Sequence, residues 1–423
     1  MGASFDCFGS RRLHVAAPSR GDFVADFEDF NGVPQLEPGS WLHKAFEYVR
    51  VRSMLPDAAI FWTIAAYCGA ALQDKLCVDW AVKPIYPNLP LLIVMPSGRG
   101  KTGAANAAEP LFDRCLPYKI AEDATAESVT TDLAMYGRGV GGNTIGIWVI
   151  PELADIFGQK DYQQGSVARL TRLFDNPLNR EISRRTSGRV MMQGRCVLSW
   201  IAGTTFEWLQ RHVDEAVSAG GFLPRLLVIH SKEMSKFVAD PQRDETLIRD
   251  LNTELFGILS QVPTTRVPLL PEQWLPIAES AHNDKIVAAD TPRETFIARR
   301  PENILRISMI LGVFGKAQKV RSLFSTSSVT LGNAEKCCKW FEDQAVKLSS
   351  DLKVRLFGRI VNSVAEHTER RGTVSYFDLC HDYNILSYDL RLALRELVDQ
   401  GRVKWNGMTG KAGVVEHIIQ RPK

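Results

Sequence analysis

The sequence predicts an α/β protein, a buried sheet with helical segments before and after it. Three observations predict this. The apolar run Leu91–Met95 feeds the glycine-rich turn PSGRGKT and then an alanine-rich helical stretch from Lys101 to about Arg114. Further apolar runs, Ile145–Ile150, Val197–Ala202 and Leu226–Ile229, alternate with helical patterns over 126–136 and 166–174. Short apolar runs alternating with helical stretches are the signature of an α/β sheet. Beyond Lys232 helical periodicity takes over, at 244–259, 303–315 and 333–353.

Each element has its own signal. Ser40 is the N-cap candidate of a helix through Trp41, Leu42, Phe46, Val49 and Val51; Pro56 ends it, and Asp57 caps the apolar helix that follows. That second helix holds the longest apolar run, Ala58–Leu72. It falls short of the roughly 20 residues that span a bilayer, so it is read as a buried helix, with no membrane partner. The segment Arg189–Met192 is strand-like. Near the C-terminus a helix ends at Arg371-Gly372, the short strand TVSY follows, then helices over 377–383 and 387–400. The chain closes with GRVKW, a glycine-rich turn and VVEHIIQ. Helix, strand, two helices and a hairpin is the order of a winged helix-turn-helix.

Length and composition bound the rest. At 423 residues the chain exceeds one compact core, and 45% apolar with 23% charged residues is ordinary globular composition. The expected division is a flexible N-terminal arm over 1–39, a helical segment over 40–85, a core over 86–232, a helical lid over 233–352 and a winged helix over 353–423. A net charge of +3 permits nucleic-acid contact without arguing for it. No secretory pattern opens the chain, and Asp6 stands where a myristoylation signal needs Ser or Thr. Eight cysteines without a CxxC pair suit a reducing, cytoplasmic compartment.

The strand–turn–helix segment is a candidate phosphate cradle. Ser97, Gly98, Arg99, Gly100, Lys101 and Thr102 are the candidate binding residues, with Lys101 reaching the β/γ-phosphates and the Thr102 hydroxyl on Mg²⁺. The pattern GxxxxGK[ST] asks for glycine at position 95, where the chain has Met95. An acid near the metal is expected at the end of a neighbouring buried strand, and IGIWVIPEL supplies Glu152 there, with Asp155 the weaker candidate. Glu152 is the candidate water-activating base and second metal contact; capping of the following helix is its plain alternative.

Nucleic acid has two candidate points of entry. NREISRRTSGRVMMQGR carries Arg180, Arg184, Arg185, Arg189 and Arg195 against Glu181 alone. Such a hairpin grips backbone phosphates without reading sequence; a solvated basic loop and arginines paired across a subunit interface stand beside that reading. From Lys353 onward twelve basic side chains face eight acidic ones, with Arg391 and Arg395 on the second helix and Lys404 and Lys411 about the wing. Protein docking is the alternative role of that unit.

In order, NLPLLIVMPSGRGKT, WVIPELADIFG, LSWIAGTTFEWL and GGFLPRLLVIH resemble the motifs of helicase-like replication ATPases of phages, prophages and plasmids. These are RecA/AAA-type P-loop proteins. The similarity covers about residues 40–350 and departs at Met95 and at Pro151, where the usual Walker B aspartate is replaced. A helical lid before a winged helix is similar to MCM-type and initiator ATPases. The resemblance implies ATP and Mg²⁺, DNA as partner, contacts with replication proteins, and a homo-oligomeric ring of hexamer type. By position it makes Thr204, beside Thr205, a sensor of the γ-phosphate; a plain turn after Gly203 is the alternative reading of the two threonines. It makes Arg225 an arginine finger for the next subunit, with pairing to a carboxylate as the plain alternative, and Arg306 a second sensor, with a solvated place on its helix as the alternative. The implied activity is that of an ATP-dependent DNA helicase or replication initiator of a mobile element. An ATP-switched DNA-binding regulator or loader without unwinding is the alternative.

Overall fold

The computed structural model describes residues 30–80, 83–155, 160–179, 181–184, 188–212, 221–232, 238, 242–289, 291–316, 328–371, 373–376, 378–379, 387–405 and 414–417. Internal contacts divide the chain into Met1–Asn31 and Gly32–Lys423, and all that follows concerns the second unit.

Helix α1, Trp41–Arg50, starts where Ser40 accepts a hydrogen bond from the His43 amide at 3.3 Å. The expected capping of α2, Asp57–Leu72, is corrected: Pro56 holds the cap position, and the Asp57 carboxylate pairs with Arg50 instead. Pro56 offers no side-chain acceptor, so an acid in the first turn meets the helix dipole without capping it. Every residue from Ala58 to Leu72 is buried, which an apolar helix lacking a polar face requires. Gly69 is needed for that burial, since a Cβ there would lie 2.2 Å from the Pro87 carbonyl. No described helix is long and apolar enough to cross a membrane.

A short hairpin follows, β1 (Leu76–Trp80) and β2 (Lys83–Ile85), and β1 also pairs in parallel with β10 (Thr265–Arg266). This small sheet was not expected, because its strands are short and Pro84 interrupts the pattern.

The main sheet has five parallel strands in the order β4-β5-β8-β3-β9: Lys119–Ile120, Thr144–Ile150, Cys196–Thr204, Pro90–Val94 and Leu227–His230. Helices cover both faces, so β3, β5, β8 and β9 are buried along their whole length and read as unbroken apolar runs. On one face Leu92, Val94, Trp148, Trp200 and Val228 share a core with Leu170, Phe174 and Leu348. Those last residues belong to α5 (Lys160–Phe174) and the 44-residue α11 (Ser328–Arg371). The opposite face meets α2. Fully burying each such large side chain contributes about 1.5–3 kcal/mol.

The helix after the phosphate loop is shorter than expected. Helix α3 covers only Gly103–Ala108, and a 3-10 turn, Glu109–Phe112, replaces its continuation. Pro110 is the cause, since it lacks an N–H and its ring clashes with the carbonyl four residues earlier. Helix α4 is Ala126–Tyr136, α6 is Phe206–His212, and Glu181–Arg184 (β6) pairs with Gly188–Met191 (β7) as an antiparallel hairpin. After the sheet come α7 (Glu245–Gln261), α8 (Pro271–Val287), α9 (Pro292–Ile297) and α10 (Arg300–Phe314). At the C-terminal end β11 (Thr373–Ser375), α12 (Ser387–Asp399), β12 (Val403–Trp405) and β13 (Val414–His417) close on their own core. The three strands run in the order β11-β13-β12. Most of the helix expected over 377–383 lies outside the described residues.

Candidate active site

At the carboxyl end of β3 the Met95 amide donates to the Thr204 carbonyl at 3.1 Å and so extends the ladder by one residue. Met95 is buried, and no glycine is required there. The turn proper depends on Gly98 and Gly100, whose φ angles of +75° and +71° are left-handed and open to glycine with little strain. The Gly103 amide then bonds the Gly100 carbonyl at 2.7 Å as the chain enters α3. Ser97 and Gly98 are exposed; Arg99, Gly100 and Thr102 are half-buried.

The strand carrying Glu152 is not the immediate neighbour that the sequence suggested. β8 is inserted between β3 and β5, so the two strands are separated by about 10 Å at 4.7–4.9 Å per strand. The Lys101 side chain bridges the gap. Its Nζ stands 3.4 Å from Glu152 Oε2, and the side chain is only 9% exposed. Gly203 on the inserted strand makes the bridge feasible. A Cβ there would lie 2.6 Å from the Pro151 carbonyl and 3.4 Å from Lys101 Cβ. Gly203 is a residue of the candidate site that sequence reasoning missed, although GTT at a strand end was the available signal.

Buried polar atoms without a partner collect at this end of the sheet. Among the described residues, Glu152 Oε1, Thr204 Oγ1 and both ring nitrogens of His230 have none. Each such atom costs roughly 1–3 kcal/mol when left unsatisfied. Thr204 and His230 flank Val94 in register, one on each neighbouring strand. Ligands of open α/β sheets bind beyond the carboxyl ends of the strands, the same end as these orphans. Burial pushes the His230 imidazole down to about 4, assisted by Lys232 and Lys347 and opposed by Asp351, so the ring is neutral. It stacks on Phe206 with centroids 5.8 Å apart. Thr205 serves α6 instead, its hydroxyl accepting from the Trp208 amide at 3.1 Å.

Two expected arginines lie elsewhere. Arg306 is corrected: it is neither solvated nor near the loop. Its guanidinium donates to the Asn88 carbonyl at 2.7 Å and to Asn176 Oδ1 at 2.9 Å. Asn88 precedes β3, so Arg306 serves the amino end of the sheet, a full strand away from Lys101. Burial lowers its pKa to about 10, so it stays charged at neutral pH. Arg225, in the 3-10 turn Leu223–Arg225, precedes β9 and is likewise at the amino end. It donates from Nε and Nη2 to the two Asp175 oxygens at 2.9 and 2.7 Å, and from Nη1 to the Gly221 carbonyl at 2.6 Å. Arg299 donates to the same carboxylate at 3.2 Å. Burial alone would raise the Asp175 pKa; the Arg225 hydrogen bonds and both guanidinium charges outweigh it and hold the carboxyl below its ordinary range.

Of the basic candidates, Arg184 and Arg189 sit on β6 and β7, while Arg180 and Arg185 lie outside the described residues. Arg195 is tied inward, donating to the Asn176 carbonyl at 3.1 Å. Arg391 and Arg395 are exposed on α12, with the Arg391 guanidinium 6.0 Å from the Tyr376 ring centroid. Lys404 is exposed between buried Val403 and Trp405, and Lys411 lies outside the described residues. Among the described residues no group of three or more His, Cys, Asp or Glu side chains is placed to hold a metal ion.

No family model and no curated protein matches the chain. One solved structure that it resembles is described as "SCCmec type IV Cch - active helicase". The two are 10% identical, with a TM-score of 0.38 over 92% of this chain and 71% of that one. At that score the likeness carries no functional argument.

Proposed function

We propose that the chain is a P-loop ATPase that works on DNA as a homo-oligomeric ring, a helicase or replication initiator of a mobile element. The observation that carries this reading is the meeting of the glycine loop with Glu152. Lys101 Nζ stands 3.4 Å from Glu152 Oε2 while Glu152 Oε1 has no partner. In-line attack of water on a γ-phosphate needs a cation for the charge growing on the phosphate oxygens and an acceptor that orients the water. Lys101 is the cation and Glu152 the acceptor. Ser97 to Thr102 supply the cradle, and the orphaned Thr204 hydroxyl reads the terminal phosphate. Thr102 and Glu152 would hold Mg²⁺ together with phosphate oxygens and water, and the ion would neutralise phosphate charge. Arg225, at the far end of the sheet from its own loop, is assigned to the nucleotide of the adjoining subunit.

DNA meets the hairpin that carries Arg184 and Arg189, with Arg180 and Arg185 near them in the sequence, and the C-terminal unit through Arg391, Arg395, Lys404 and Lys411. The helix–strand–helix–hairpin order from α11 to β13 supports a winged helix over 353–423. The arm over 1–39, the helical segment to 85, the core to 232 and the lid to 352 complete the proposed division. Glu152→Gln tests the assignment: ATP should still bind while hydrolysis falls at least about 100-fold, the lower range for a lost general base. Hydrolysis at the unaltered rate would remove Glu152 from the site.

Pro151 favours a second reading, an ATP-switched DNA-binding regulator or loader. It puts a pyrrolidine ring, which has no oxygen to offer, where a metal-holding aspartate is usual, and this weakens the metal shell. Strand displacement separates the two, because a regulator binds a fork and leaves it paired at every ATP concentration.

A further inference from the structure

Asp175 has two arginine partners, and they are not equivalent. Arg225 takes both oxygens in a fork at 2.9 and 2.7 Å, whereas Arg299 makes one contact at 3.2 Å and a looser one to Glu302 at 3.6 Å. The carboxylate is 32% exposed and the Arg225 side chain 17%, so water reaches the cluster. Exposed ion pairs contribute roughly 0–1 kcal/mol, and this half-buried fork lies above that range. A triphosphate, with more anionic oxygens than one carboxylate, still competes for the guanidinium. The second arginine matters for the release, because Arg299 still neutralises Asp175 after Arg225 has left. Removing one partner from a carboxylate with no other cation would be far more costly.

The position of Asp175 adds a direction of control. The chain leaves α5 at Phe174 and passes through Asp175, Asn176 and Pro177 to the hairpin β6–β7. The base of that hairpin is clamped. Asn176 donates to the Cys196 carbonyl at 2.8 Å, Cys196 donates to the Pro177 carbonyl at 3.0 Å, and Leu178 bridges to Arg195. Asp175 thus lies one residue from the segment that anchors the hairpin to β8.

From this geometry we propose that Asp175 is a parking site for Arg225, which it withholds from the adjoining subunit until DNA on the β6–β7 hairpin shifts the turn. The proposal rests on the reading of Arg225 as an arginine finger in trans. It makes Asp175 a positioning residue, acting only through Arg225.

Two variants have opposite signs. Asp175→Asn loosens the parked state by about 1 kcal/mol, so hydrolysis without DNA should rise about fivefold and stimulation by single-stranded DNA should shrink by the same factor. Arg299→Gln leaves Arg225 as the sole strong partner of Asp175, so hydrolysis without DNA should fall. In an Arg225→Ala background neither change should matter. A merely structural brace predicts otherwise: both variants would lower activity together with the melting temperature. That pattern would overturn the proposal, as would an Asp175→Asn effect that persists without Arg225. Failure of the underlying reading looks different. If Arg225→Ala alone hydrolyses ATP like the unaltered protein, the finger assignment falls and the parking site with it. If Arg225→Ala is inactive but Asp175→Asn and Arg299→Gln change nothing, only the parking site falls.

Discussion

Replacing Gly203 by alanine probes the crossing on which the site depends. The added Cβ would lie 2.6 Å from the Pro151 carbonyl, a backbone atom that cannot swing aside, and 3.4 Å from Lys101 Cβ. Ordinary contact begins near 3.4 Å, so the turn carrying Glu152 must retreat by several tenths of an ångström, up to about 0.8 Å. Overpacking of this kind costs roughly 1–3 kcal/mol of stability. The catalytic effect should be larger, because a misplacement of about 1 Å costs around 100-fold in rate. The expected result is a 10- to 100-fold lower kcat for ATP hydrolysis, with the melting temperature lowered by only a few degrees. Steady-state hydrolysis beside a thermal melt measures both. Unaltered kcat in a folded Gly203→Ala protein would refute the argument that Lys101 reaches Glu152 across this glycine.

Three further outcomes follow from buried groups. Arg300 is 1% exposed and donates a fork to Glu342 at 2.6 Å, with Asp284 as a second partner, so Arg300→Met leaves the 5%-exposed Glu342 with only the Arg293 guanidinium, 4.0 Å away, to offset its charge. Denaturant unfolding should show a loss of about 3–5 kcal/mol; less than 1 kcal/mol would mean that the pair is not desolvated. Arg306→Leu strands Asn88 and Asn176 at the amino end of the sheet. It should destabilise by a similar amount while leaving the affinity of the folded protein for ATP intact, and a selective loss of nucleotide affinity would return Arg306 to the sensor role.

His230 adds a pH dependence. Its pKa is near 6.5 unfolded and about 4 folded, so below pH 6.5 the unfolded chain takes up a proton that the folded one refuses. The stability held above pH 6.5 is therefore lost as pH falls towards 4, by on the order of 3 kcal/mol. His230→Phe, which keeps the stack on Phe206, should flatten that part of the stability–pH curve. Parallel curves for the two proteins would disprove the assignment.

What the sequence disclosed follows from how local each feature is. The phosphate turn was legible because strand, glycines, lysine and threonine are contiguous, and the buried strands because parallel sheets covered on both faces read as unbroken apolar runs. Strand order was not legible. Nothing in IGIWVIPEL says that β8 lies between it and the loop, and that pairing is set by contacts about 100 residues apart, between Leu92 and Ala202. Arg306 was misread for the same reason, since its partners Asn88 and Asn176 come from distant segments. The neighbours of Arg306 in ILRISMI are mostly apolar, which was the available sign that its helix is buried there. Pro110 lay in plain view as the reason α3 stops at Ala108. A carboxylate partner for Arg225 was among the sequence readings, but nothing local marked Asp175, 50 residues away, as that partner.

The central claim is that the loop around Lys101 binds and hydrolyses ATP in a DNA-dependent way. The most direct test is ATP hydrolysis by the purified protein and by Lys101→Ala, each with and without single-stranded DNA. The account predicts hydrolysis that rises with DNA in the unaltered protein and vanishes in the variant. Equal hydrolysis by both proteins would contradict it, because the cation proposed to stabilise the transferring phosphate would then have no part in the reaction.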